Sequence, residues 1–269
     1  MSRAPMVGDT RLDFELLHQT IDRSRVLRAI WRRALGSEYP EGVDPLSFLT
    51  KADLHATKKA LSLGREHRLL DLACGAGGPG LHLARTTGAH VVGVDLSAAA
   101  IMRARQRAAR MGLTRRARFL VGDIRATDFP SHTFSAIVCF DALQLIDAKR
   151  SVAAEVSRLL ASEGRVVFTT WERPSGRNSL CRLLKGEGLE VRENREIRGW
   201  AARQFAVYKE IMCRGPQLFR ELGAWAEALR DEARREPARL RRLGLRRVFV
   251  SAVARAGPGA QKASPFDAR

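Results

Sequence analysis

Leu69-Leu70-Asp71-Leu72-Ala73-Cys74-Gly75-Ala76-Gly77-Gly78-Pro79-Gly80 follows a run of strand character and opens a run of helical period. That is the setting a glycine-rich ligand loop requires. Gly75 and Gly77 let the backbone turn tightly and let a ligand approach N–H groups with no Cβ in the way. Outward from this loop, strand-like pieces occur at Arg68–Ala73, His90–Asp95, Ala117–Gly122, Ser135–Phe140, Gly164–Trp171, Leu189–Arg195 and Arg246–Arg255. Helical patterns separate the first five, as at Leu81–Thr86, Ala98–Met111 and Ala148–Leu160. Alternating strands and helices predict an α/β fold with a mostly parallel sheet wrapped on both faces. The unbroken apolar run Ala136-Ile137-Val138-Cys139-Phe140 suits a strand buried on both sides. Before the sheet we expect a helical region from Arg11 to Leu35, turns over Gly36–Asp44 and a helix from Pro45 to Ser62. Trp200–Leu243 reads as two or three helices, and the tail after Arg255, with Gly257-Pro258-Gly259, as disordered.

Two ligands compete for the loop. Gly75, Gly77 and Gly80 satisfy a dinucleotide fingerprint, which would place the pyrophosphate of NAD at the helix N-terminus. Asp71 argues against that, because a carboxylate four residues before Gly75 repels a pyrophosphate and suits a ligand bearing an ammonium group. Asp95 ends the second strand, where an acid accepts both hydroxyls of a ribose. Asp123, after the third strand, is placed to bond an adenine amino group. An amino acid, a ribose and an adenine together describe S-adenosylmethionine.

On these residues the span from Leu69 to Trp171 resembles the class I S-adenosylmethionine-dependent methyltransferases, in particular the branch acting on small molecules, of natural-product type. The resemblance implies a Rossmann-like, seven-stranded sheet with an N-terminal helical lid (1–66), a cofactor-binding core (67–199), a helical cap inserted before the last strand (200–245), that strand (246–256) and a disordered tail (257–269). It implies cofactor contacts at Asp71, Ala73, Cys74, Gly75 and Gly77 in the first motif. Asp95, Leu96 and Ser97 match the ribose-binding acid and its followers, and Asp123 and Ile124 the adenine-contacting pair. Phe140 and Asp141 match the loop where the methionine part and the acceptor meet. Three departures stand out. Ala73 replaces the usual glycine, which we expect to alter only packing. Ser135 replaces a common aspartate before the fourth strand. Gln144 stands where many small-molecule enzymes of this type carry histidine, so the identity of a general base stays open.

Methyl transfer from a sulfonium is an in-line displacement, and a hydroxyl or enolisable carbon acceptor needs a proton acceptor as well. Asp141 is the best-placed candidate, with a structural hydrogen bond as the alternative. Gln144 would orient a polar acceptor or pack in its helix. His18 belongs to the region that closes over the site in related enzymes, or is solvated surface. Trp171 follows the fifth strand at the carboxyl edge of the sheet and would line the acceptor pocket. Trp200 and Tyr208 in the inserted helices, and Tyr39 in the lid, would bind the acceptor or serve in packing.

The chain has 269 residues, 47 Lys and Arg against 29 Asp and Glu, and a net charge of +18. The excess is spread over the rear two thirds, and arginine far outnumbers lysine, as compositional drift would produce. No acid lies between Asp95 and Asp123, yet Ile101, Ala104, Ala108 and Met111 give that stretch an inner face and leave its arginines to solvent. We therefore expect a small-molecule acceptor, no nucleic acid and no membrane partner, and a monomer or homodimer. An RNA or DNA base methyltransferase is the rival suggested by the charge. Phe140-Asp141-Ala142-Leu143 stands where an Asn/Asp-Pro-Pro-aromatic tetrad would be. An NAD-dependent oxidoreductase is the rival suggested by the glycines, and a binding protein that has lost catalysis is a third. Four cysteines without close pairs or metal spacing, and no apolar signal core in Met1–Phe14, predict a reduced, soluble, cytoplasmic protein with no metal.

Overall fold

The computed structural model describes residue 15 and residues 18–21, 24–173 and 179–255. The expected disorder of 257–269 lies outside the described residues, as does most of the segment 1–17. Seven strands, β1 (Arg68–Leu72), β2 (His90–Asp95), β3 (Ala117–Val121), β4 (Phe134–Phe140), β5 (Leu160–Glu172), β6 (Leu189–Glu196) and β7 (Arg246–Ala254), pair in the order β3-β2-β1-β4-β5-β7-β6. Only β7 runs against its neighbours. All seven match strands expected from the alternation of apolar runs.

Helices cover both faces because each contributes one apolar stripe. On one face, Leu54 and Leu61 of α2 (Lys51–Leu61), Leu81 of α3 (Gly78–Thr87) and Ile101 of α4 (Ala98–Arg110) meet Leu69, Val91 and Val138 of the sheet. On the other, Val152 and Val156 of α5 (Lys149–Leu159) and Leu184 of α6 (Leu180–Gly186) meet Leu70, Ile137 and Val166. Helix α1 (Arg25–Leu35) leaves the sheet altogether. Its Leu27, Ile30 and Trp31 pack with Val207 and Tyr208 of α7 (Trp200–Cys213) and Leu218 of α8 (Gly215–Leu222), beside α9 (Ala224–Leu243).

Three local readings change. Helix α2 begins at Lys51, not Pro45, because Thr50 and Asp53 close a reciprocal cap: Asp53 N–H donates to Thr50 Oγ1 (3.0 Å) and Thr50 N–H to Asp53 Oδ2 (3.1 Å). Strand β5 begins at Leu160, ahead of the expected Gly164, so residues 161–164 lie within it. They are an irregularity inside β5, where Phe134 faces Leu160 while Ala136 already faces Arg165. Helix α6, between β5 and β6, was not anticipated. The chain enters the sheet centrally at β1, moves outward to β3 and returns at β4, so the crevice beyond the carboxyl ends of β1 and β4 is the switch point where open α/β sheets take ligands.

Candidate active site

The glycine loop leaves β1 with Ala73, Gly75 and Gly77 all at positive φ (55°, 51° and 74°). Ala73 is therefore more than a packing change: an alanine held in the left-handed region costs about 1 kcal/mol that a glycine would not. Gly75 opens toward His18, whose Cε1 lies 3.4 Å from the place a Cβ would take. At Gly77 a Cβ would stand 2.9 Å from the Phe119 ring, so this glycine serves helix–sheet packing and the N-cap of α3. Cys74 is buried, and its N–H donates to Val94 O (3.1 Å).

Asp71 differs from expectation. It is 1% exposed, and its Oδ2 accepts from Gly80 N–H (3.0 Å), which fixes the loop-to-helix turn and does not present the carboxylate to a ligand. Burial pushes its pKa up to about 7; the Gly80 hydrogen bond opposes this and Asp95 adds to it. Asp95, half-buried at the end of β2, accepts from Gly75 N–H (2.8 Å) and Ser97 N–H (3.0 Å). Ser97 is fully buried and caps α4, with its Oγ accepting from Ala100 N–H and donating to Glu15 (2.7 Å), so it is spent inside the protein. Leu96 and Val121 expose apolar surface at the ends of β2 and β3. Ile124 is buried under the loop, and Asp123 is gripped by Arg125 (2.9 and 2.5 Å to Oδ2), which holds its carboxyl below the usual range.

Glu15 and His18 reach α4 and this loop. Glu15 accepts from Ser97 Oγ and Ala99 N–H at the start of α4, and Arg103 Nη1 donates to His18 O (2.7 Å). His18 is buried, not solvated surface, and burial pushes its imidazole below the ordinary histidine range, partly opposed by Asp95. Arg103 and Arg107 are not left to solvent as the helical pattern implied. Arg107 Nη1 donates to Gly42 O and Ala76 O (both 3.0 Å), and its Nη2 pairs with Asp44 (2.8 Å). Arg105 reaches back to Phe119 O (2.7 Å). Short inner-face residues allow it: with Ala104 and Ala108 against the sheet, the long arginine stems fold down past them.

Across the crevice, Asp141 also departs from expectation. It sits at φ 51° just after Phe140, which is itself buried. Its carboxylate accepts five hydrogen bonds, from Ser47 Oγ, Phe48 N–H, Thr169 Oγ1 and two nitrogens of Arg247. A carboxylate offers about four lone-pair sites, so none is left to take a substrate proton. The general-base role does not fit this geometry. Arg247, 1% exposed on β7, also pairs with Asp53 (3.1 Å) and lies over the Trp171 ring (5.4 Å). Arg247, Asp53 and Ser47 were missed by sequence reasoning; the only signal was the pair Arg246-Arg247 opening the apolar run Val248–Val250. Gln144 donates to Asp141 O and accepts from Thr170 Oγ1 (3.0 Å).

The aromatic residues gather, with their polar ends already used. Phe48, half-buried, touches Trp31, Trp171 and Tyr208 with ring centroids 5.6, 5.8 and 6.4 Å away. Trp171 Nε1 donates to Gln204, Gln204 to Tyr208 OH (2.8 Å), and Trp200 Nε1 to Glu196 (2.9 Å). Tyr39 is buried in the same cluster as Trp31 and Tyr208, its OH on Val43 O (3.3 Å). Packing accounts for Tyr39, Trp200 and Tyr208, while Trp171 lies near the end of β5, at the carboxyl edge of the sheet, with its ring against Phe48. Among the described residues no group of His, Cys, Asp or Glu is arranged to hold a metal ion, and no helix is long and apolar enough to cross a membrane.

Residues 69–164 match the family model described as a methyltransferase domain. Over this stretch the chain carries a methyltransferase domain. The methyltransferase domain is similar to sterol 24-C-methyltransferase of Gibberella zeae, 32% identical over 105 residues (39% of this chain, 27% of the relative). It is also similar to phosphoethanolamine N-methyltransferase 1 of Zea mays, 32% identical over 135 residues (49% of this chain, 26% of the relative). The matched segment thus spans about a quarter of the length of these relatives. Beyond the methyltransferase domain the likeness is one of fold: the [4+2]-cyclase SpnF superposes with a TM-score of 0.70 at 16% identity, covering 96% of this chain and 100% of that one.

Proposed function

We propose that the chain transfers the methyl group of S-adenosylmethionine to a carbon, nitrogen or oxygen atom of a small organic acceptor in the cytoplasm, as part of specialised metabolism. The observation that carries this reading is the left-handed turn at Gly75 held against the half-buried Asp95 carboxylate at the switch point of the sheet. The residues fit the cofactor. Asp95 spends one hydrogen bond per oxygen on backbone, which leaves lone pairs for two ribose hydroxyls. Leu96 and Val121 offer apolar faces to the adenine. When bound, the sulfonium supplies an electrophilic methyl group. The protein's part is alignment and exclusion of water: Phe48 and Trp171 wall the acceptor side, and Arg247 fixes the Phe48 segment through Asp141. Relatives named for sterol C-methylation and phosphoethanolamine N-methylation support a small acceptor.

A second reading, cofactor binding with chemistry other than methyl transfer, is favoured by one observation: the Asp141 carboxylate is saturated and its neighbour Gln144 is no base. Incubation with methyl-labelled S-adenosylmethionine and a panel of sterol, phenol and primary-amine acceptors separates the two. Label in an acceptor, with S-adenosylhomocysteine formed in equal amount, supports the first reading. Bound cofactor with no label transferred to any acceptor favours the second.

A further inference from the structure

Helices α7 and α8 share one buried spine and leave one flank uncovered. Tyr208, Ile211, Gly215, Leu218 and Leu222 are buried at helical spacing, and the four with side chains pack in the cluster of Trp31 and Tyr39. The spine keeps its phase through the junction at Arg214, whose N–H donates to Glu210 O (3.0 Å) and whose O accepts from Leu218 N–H (2.9 Å). Lys209, Met212, Pro216, Phe219 and Gly223 each follow a spine residue by one position, and all are exposed. One position is a turn of about 100°, so these residues form a row along the flank. Phe219 is 53% exposed and Met212 36%. A lone exposed apolar residue is ordinary, whereas large ones aligned on one flank mark a surface that meets a partner.

Charge on this stretch sorts by flank. Glu210, Arg214 and Glu221 each precede a spine residue and so lie on the opposite side. There Glu210 pairs with Arg214 (2.9 Å) and with Arg33 of α1 (3.8 Å), and Glu221 accepts from Ser24 Oγ (2.6 Å) and Val26 N–H (3.0 Å). Both acids are thereby tied toward α1. What residues 209–220 expose is apolar, neutral or cationic: Met212, Pro216 and Phe219 stand between Lys209 and Arg220, beside Cys213 and Gln217. We propose that this flank of α7 and α8 seats the protein on a bilayer surface bearing anionic headgroups, with Met212 and Phe219 entering the acyl boundary and Lys209 and Arg220 meeting headgroup phosphate. Apolar side chains bracketed by cations are what an interfacial helix offers to such a surface. Nucleic acid would engage the two cations and leave Phe219 and Met212 in water, so it accounts for half of the row. Among the described residues no helix is long and apolar enough to cross a bilayer, but lying on one asks only for this kind of flank. The inference is independent of the methyltransferase reading.

Co-sedimentation of the full chain with vesicles tests it, using phosphatidylcholine alone and an equal mixture of phosphatidylcholine and phosphatidylglycerol at physiological salt. The wild type is expected to partition onto the mixed vesicles about tenfold more strongly than onto phosphatidylcholine. Phe219→Ser combined with Met212→Ser should cost about tenfold in that partitioning, and Lys209→Gln combined with Arg220→Gln about as much. Arg110, Arg115 and Arg118 are exposed on and after α4 and serve as the control for diffuse charge. Their joint change to glutamine should leave partitioning unchanged. Partitioning that fails to distinguish the two vesicles, no partitioning at all, or an equal loss in the arginine control overturns the proposal. So does self-association in analytical ultracentrifugation that Phe219→Ser abolishes while vesicle binding stays intact, because a second copy of the chain then covers the flank.

Discussion

Asp71 and Arg247 are the two residues whose charge the fold must manage, and it does so in opposite ways. Asp71 has one hydrogen bond and no cation, so burial raises its pKa to about 7. Its folded value lies above the unfolded one near 3.9, so the native state binds this proton more tightly. Between about pH 4 and pH 7 the unfolded chain has lost the proton and the folded chain keeps it. Stability from this group therefore falls as pH rises through that window, by about 1.4 kcal/mol per unit at most, and levels off above it. Asp71→Asn keeps the acceptor for Gly80 and removes the proton. Urea unfolding at pH 5 and pH 7 should show the wild type losing stability relative to the variant; a pH-independent difference refutes the assignment. Arg247, in contrast, is paired on both sides, and burial of the guanidinium is offset by Asp141 and Asp53. Arg247→Met strands two buried carboxylates and should cost about 3–5 kcal/mol. Adding Asp141→Asn to it should return part of that loss, whereas independent sites would simply add.

Helix α4 shows what an element does beyond filling a layer. Its N-terminus takes Glu15, and its Arg103 and Arg107 reach out to the His18 carbonyl, Asp44, the Gly42 carbonyl and the glycine loop at Ala76. The helix is thus the anchor that holds Glu15 and His18 beside the ligand loop. Arg110, Arg115 and Arg118 are exposed along the same stretch. Arg107→Ala should weaken S-adenosylhomocysteine binding severalfold and lower the unfolding temperature, since a half-buried pair and two carbonyl contacts disappear together. Changing Arg110, Arg115 and Arg118 to glutamine should leave both within error. If the triple variant loses affinity and Arg107→Ala does not, the anchoring role of this helix is wrong.

At the scale of the whole molecule, the sheet was legible because its information is local. Apolar runs such as Val91–Val94 and Ala136–Phe140 need no distant partner to be recognised, and glycines at 75 and 77 announce their turn. What the sequence did not disclose is long-range pairing of charge. Nothing near Asp141 says that an arginine 106 positions later will saturate it, and nothing in the pattern of α4 says that Arg103 folds inward toward His18. Helix α2 starts late for the same reason: Ser47 and Phe48, which would have made its first turn, are bonded to Asp141. The aromatic group around Phe48 joins α1, the segment before α2, β5 and α7, four separate parts of the chain.

The claim on which everything else depends is that Asp95 and the Gly75 loop receive an S-adenosyl ligand. Calorimetric titration of the wild-type chain and of Asp95→Ala with S-adenosylmethionine, S-adenosylhomocysteine and NAD tests it directly. The account predicts binding of both adenosyl ligands, silence toward NAD, and a loss in Asp95→Ala of about 1.5–3 kcal/mol for the charge-assisted bonds to the ribose. Binding of NAD in their place, or adenosyl-ligand affinity unchanged in Asp95→Ala, would contradict it.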